Sequence, residues 1–88
     1  MISRSEVLAV AERYVNGDRD QTHGAPAHTF GRIADLWSVY LGVTVTPADV
    51  CALMILFKTG RIMANKEHVD SWIDVAGYAA CGAEVAGA

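Results

Sequence analysis

The sequence is poor in the features that would commit it to most familiar roles. Its longest purely apolar run is the eight residues Val50 to Phe57, against the roughly 18 or more that a membrane span requires, so no membrane partner is expected. It has only two cysteines, Cys51 and Cys81, both inside apolar helical patterns. No disulfide framework follows from them, and two small buried apolar residues are the expectation. Neither CxxC nor HExxH occurs, which leaves a zinc site without support. Positive charge is also scarce. Seven Lys and Arg against ten Asp and Glu give a net charge of −3, which argues against duplex nucleic acid as a partner. Any anion must be held locally, by a few cations in one place. The amino end is interrupted by Arg4, Glu6 and Glu12 and does not read as a leader, so the cytoplasm is the expected compartment.

What is present is apolar and helical. Apolar residues make up 52% of the 88 and charged ones 19%, which excludes a disordered tail and fits one domain, 1–88, with a thin core. Ser3-x-x-Glu6 is a capping box, and apolar residues recur from Val7 to Val15 at helical period, with Asn16-Gly17 as the expected stop. The stretch Asp18 to His28 reads as the one long connection. A second helix is expected over 28–41, with Phe30, Ile33, Ala34, Trp37, Tyr40 and Leu41 on one stripe and Gly42 ending it. Thr46-Pro47-Ala48-Asp49 opens a third helix, 47–63, apolar nearly all round. A fourth, 70–85, is rich in alanine and glycine, which lets another backbone approach. The expectation is an all-α, compact four-helix domain. Trp37, Tyr40, Trp72 and Tyr78 exceed what one thin core hides, and a homo-oligomer is the expected way to cover the excess.

Three places carry candidate chemistry. Lys58, Arg61 and Asn65 share a face of the third helix near its end, a point charge, a guanidinium fork and an amide suited to phosphate. The competing reading is that cations gather at a helix C-terminus because its dipole favours them there. Asp70 and Asp74 stand four apart on the fourth helix. They read either as ion-pair partners of Lys58 or Arg61, which is favoured, or as oxygen ligands for Mg²⁺. In the long connection, His23, Gly24, His28 and Thr29 combine a close-approach glycine, two imidazoles and a hydroxyl beside a helix start, where amide donors suit an anion. A solvated loop whose His28 or Thr29 caps the second helix is the plainer alternative. Trp72, at a helix start, is the candidate for stacking on a base or packing across an interface.

Asp18-Arg-x-x-Thr22-His-Gly24, Phe30-x-x-Ile33-Ala-x-Leu36-Trp, Thr46-Pro-x-Asp49, Lys58-x-x-Arg61 and Asp70-Ser-Trp-Ile-Asp74-x-x-Gly-Tyr78 follow one another along almost the whole chain. Together they resemble small phage-type helical proteins described as nucleotide-modification-associated or uncharacterised. These are distantly similar to the all-α nucleoside triphosphate pyrophosphohydrolases, the MazG-like group. That group holds Mg²⁺ with Glu-Glu-x-x-Glu on one helix and Glu-x-x-Asp on another. Asp74 matches the last acid, but Ser71 stands where the second motif has Glu, and the second helix offers only Asp35. Glu6 and Glu12, six apart in the first helix, do not form a cluster.

Anion-binding residues kept without the cleaving acids imply a non-catalytic binding protein without cofactor. It would capture, and in a phage setting sequester, a nucleotide or a nucleotide-derived signal of cyclic-oligonucleotide or ADP-ribose type as an anti-defence measure in the host cytoplasm. The alternatives are a reduced pyrophosphohydrolase with Mg²⁺ on Asp70 and Asp74, and a structural or adaptor bundle.

Overall fold

The computed structural model describes residues 1–18 and 25–87. Four α-helices and no strand occur among them: α1 (Arg4–Arg13), α2 (Pro26–Leu41), α3 (Pro47–Ala64) and α4 (Val69–Val85). None is long and apolar enough to cross a membrane. The body they form measures 43 × 29 × 24 Å.

Local chemistry sets most of the helix ends. At α1 the Ser3 hydroxyl accepts from the Glu6 amide at 3.1 Å while the Glu6 carboxylate accepts from the Ser3 amide at 3.2 Å. The same reciprocal box opens α3, between Thr46 and Asp49 at 3.1 and 2.9 Å, with Pro47 at the first helical position. Each box satisfies two amide donors that a helix start leaves unpaired, and such a cap contributes about 1 kcal/mol. Hydrogen bonding from the Thr46 backbone first, and from its side chain second, also holds the Asp49 carboxyl below its ordinary range. Gly42 ends α2 in the left-handed conformation, φ 72°, and its amide donates to the Ser38 carbonyl. The Ser38 hydroxyl accepts from the Val45 amide at 2.8 Å, which ties the short α2–α3 link back to α2.

Two boundaries differ from the sequence reading. Asn16-Gly17 does not stop the first helix; the chain widens into a π-helical turn over Tyr14–Asp18, and Gly17 keeps a negative φ. The Asn16 side-chain amide donates back to the Glu12 carboxylate at 3.3 Å, one turn earlier. In α2 the helix begins at Pro26, with Ala25 as a cap that offers no side-chain bond. The preset φ of proline suits a first helical position, so His28 and Thr29 lie within the first turn and neither is the cap.

The most extensive contact is between α3 and α4; α2 lies against α3 and more lightly against α4, and α1 lies along α4. The core joins Phe30 and Ala34 of α2, Val50 and Cys51 of α3, and Cys81 of α4. Phe30 meets the Tyr78 ring edge to face at 6.1 Å. The small residues of α4 do what their size permits: a Cβ on Gly82 would lie 3.1 Å from that of Cys51, and one on Gly77 3.2 Å from a methyl of Val15. Cys51 and Cys81 are both buried, and neither is in a disulfide. Burial first, and the neighbouring Cys81 second, push the Cys51 thiol up to about 11, so it stays neutral.

Candidate functional site

The structure divides the cations of α3 between two duties. Lys58, on the side toward α4, pairs with Asp74 at 3.0 Å; both side chains are largely buried, at 17% and 20% exposure. The favoured ion-pair reading of Asp74 therefore has its geometry. An ammonium this far inside the fold requires such a counter-charge, because removing either partner strands the other. Arg61, one turn further, is exposed and has no carboxylate within ion-pair distance among the described residues. Its guanidinium carbon stands 5.3 Å from the centroid of the Phe57 ring, and the Lys58 nitrogen stands 5.8 Å from the same centroid. Both distances fall within the roughly 6 Å at which a cation and a ring attract. Phe57 itself is 54% exposed.

Asn65 ends α3 in an extended conformation, and its side-chain oxygen accepts the Glu67 amide at 3.1 Å. That bond serves the α3–α4 turn; the amide nitrogen of Asn65 remains available to a ligand. Trp72 belongs to a different place. Half exposed, it donates its indole N–H to the Lys66 carbonyl at 2.9 Å. It lines an open groove of about 760 Å³ between the start of α1 and the start of α4, with Val7 and Leu8 as apolar walls and Arg4 and Lys66 as its cations. Lys58 and Arg61 are not among the residues lining that groove. His28 is exposed and Thr29 half-buried in the first turn of α2, and His23 and Gly24 lie outside the described residues.

Asp70 is exposed, whereas Asp74 is engaged with Lys58. Among the described residues no three His, Cys, Asp or Glu side chains gather as a metal cluster would. Glu6 is occupied in its capping box and Glu12 bonds Asn16.

Two arrangements escaped the sequence reading. Phe57 beneath Arg61 was legible in principle, since the two stand four apart on a helix. His68 and Ser71 form a pair, with Nδ1 and Oγ 2.8 Å apart. The spacing of three at a helix start was the available signal. Ser71 is completely buried, so no substrate reaches its hydroxyl, and the pair fastens the first turn of α4.

Comparison with known proteins follows the same span as the four helices. A family described as "Domain of unknown function (DUF6378)" matches residues 6–86. The chain belongs to the DUF6378 family. It is 46% identical over 74 residues to the "Gene 55 protein" of Mycobacterium phage L5, which covers 83% of this chain and 47% of the relative. It is 41% identical over 75 residues to the "Gene 55 protein" of Mycobacterium phage D29, covering 85% and 50%. The chain thus spans about half the length of these curated relatives. No solved structure matches. The DUF6378 match takes in Phe57, Lys58, Arg61 and Asp74 together.

Proposed function

We propose that this DUF6378 protein is a non-catalytic binding module that captures a nucleotide-type anion on the Phe57–Lys58–Arg61 face of α3. The observation that carries the reading is the convergence of two cations on one exposed aromatic ring. A ring face stacks on any base, and a guanidinium fork takes phosphate oxygens in pairs, so the combination suits a phosphorylated nucleoside better than a bare ion. Arg61 is the primary phosphate ligand, because the charge of Lys58 is already balanced by Asp74. Asn65 supplies an amide donor at the same helix end. Capture without cleavage is the chemistry of sequestration, and a phage protein of this kind serves to withdraw a host nucleotide signal of cyclic-oligonucleotide or ADP-ribose type.

Hydrolysis of a nucleoside triphosphate with Mg²⁺ on Asp70 and Asp74 asks more of the same residues. Asp74 would have to leave Lys58, stranding a largely buried ammonium. Binding through Arg61 leaves the pair intact.

The test is a thermal-shift panel of nucleoside triphosphates, cyclic di- and trinucleotides and ADP-ribose, with and without Mg²⁺, followed by mass spectrometry of whatever is released. A ligand of the native state must raise the melting temperature. The expected result is one compound class that stabilises the protein, returns intact, and loses its effect in Arg61→Ala. Stabilisation that survives Arg61→Ala and disappears in Trp72→Ala would move the site to the α1–α4 groove. Recovery of monophosphate and pyrophosphate, abolished in Asp74→Asn, would establish the enzyme instead.

A further inference from the structure

A glycine in the middle of α3 has no reason inside its own chain. Gly60 costs the helix stability relative to alanine, as glycine does in any helix interior. In α4 such a cost is matched by close packing, as at Gly82 against Cys51, whereas a Cβ on Gly60, like one on Gly31 of α2, would meet nothing within 4 Å. At about 100° per residue, Leu53, Leu56, Phe57, Met63 and Ala64 all fall within about 60° of Gly60 around the helix axis. The four large ones are exposed, from 42% at Leu53 to 75% at Met63. Gly60 is thus the floor of a shallow hole at the centre of an outward apolar face, ringed by large side chains. Arg61 and Lys58 lie beyond its Phe57 edge.

We propose that this face of α3 is the contact between two copies of the chain, crossing antiparallel about a two-fold axis at Gly60. A two-fold contact requires one surface to fit itself, with residue i of one copy on residue j of the other and the reverse. An axis at Gly60 sets Phe57 against Met63 and Leu56 against Ala64, large against different, and brings the two helix backbones together where neither has a side chain. The area agrees. The chain exposes 6121 Å², whereas mass scaling gives roughly 5,000 Å² for a compact monomer of 9.4 kDa. That surplus belongs to the whole chain; this face holds the part of it exposed at Leu53, Leu56, Phe57 and Met63, against the approximately 800 Å² that each partner contributes to a standard stable interface. The face carries no charge between Leu53 and Ala64 within that arc, the composition of a permanent homodimer core, whereas a transient partner meets a more polar surface. Phe57 is shared with the nucleotide reading, as the rim residue from which Arg61 and Lys58 lead away, and the test uses no nucleotide, so the two readings fail separately.

The experiment is sedimentation equilibrium of the full chain at micromolar concentration, with circular dichroism to verify helix content. The expected mass is that of two copies for the parent chain and for Val39→Glu, which alters the separate exposed strip on α2. Leu56→Glu and Met63→Glu, both already at the surface, are expected to keep their helicity and weaken association at least roughly tenfold. Gly60→Cys is expected to form an interchain disulfide on mild oxidation, because a residue on the axis meets its own copy, and Asp35→Cys is expected not to. The buried Cys51 and Cys81 do not compete. A parent chain that stays monomeric overturns the proposal. So does a dimer broken by Val39→Glu and not by Leu56→Glu, or a dimer in which Gly60→Cys fails to cross-link.

Discussion

Helices α3 and α4 both carry glycine within their helical span, and the fold uses it in opposite ways. In α4, Gly82 and Gly77 are filled from within the chain, by Cys51 and Val15, and the alanines around them let neighbouring helices lie close. In α3, Gly60 faces open space among exposed leucine, phenylalanine and methionine. The helix with the smaller side chains is thus the better packed. Its small side chains set how near the other helices come, and the large residues of α3 are then divided between a buried face at Val50 and Cys51 and a surplus left outside.

The largest effect that tests this contrast is at Gly82. Gly82→Leu forces side-chain volume against the Cys51 Cβ, and overpacking of this kind is expected to cost about 3 kcal/mol in urea unfolding. A loss below a few tenths would mean that α3 and α4 slide apart easily and that the close approach is not structural.

Asp74→Ala comes next. It strands Lys58, and with both groups about four-fifths buried the expected loss is about 2 kcal/mol, below that of a fully buried pair. Most of it is expected to return when Lys58→Met is added, since the double variant leaves no unpaired charge. A double-mutant cycle measures that recovery.

Gly60→Ala reverses sign between assembly states. In a Leu56→Glu background that dissociates the copies, it is expected to stabilise the chain by about 0.5–1 kcal/mol, as alanine does over glycine in an exposed helix. In the associated protein it is expected to weaken the pairing. Equal stabilisation in both backgrounds would remove Gly60 from any contact.

The smallest effect is the pH response of the α3 cap. The Asp49 carboxyl is held below its ordinary value of 3.8, so its contribution is present above that pH and is lost as the pH falls through the lower folded value. Asp49→Asn is expected to flatten the acid limb of a stability–pH profile slightly, and an unchanged limb would show that the cap bond does not persist in solution.

Much of the fold was legible because its determinants are local. The Ser3–Glu6 and Thr46–Asp49 boxes, Gly42 as a left-handed stop and the apolar stripe around Phe30 and Ala34 each depend on residues within a turn or two of one another. The errors were local competitions that a different residue won. Pro26 started α2 ahead of His28 and Thr29, and the π-helical turn absorbed Asn16-Gly17. At the candidate site the sequence placed Lys58 and Arg61 on one face and offered Asp74 as partner. It did not reveal that Lys58 would take Asp74 while Arg61 stayed outside, nor that Trp72 would open into a separate groove.

The sequence alone determined four helices, their caps and the chemical character of each face, because helical periodicity and capping act over three or four residues. The tertiary structure alone decided which side of the nearly all-apolar α3 turns inward, which cation is neutralised, and which glycine is filled. Those outcomes depend on the register and separation at which α3 crosses α4, and that crossing is set by atoms far apart in the chain, where Cys51 meets Gly82 and Lys58 meets Asp74.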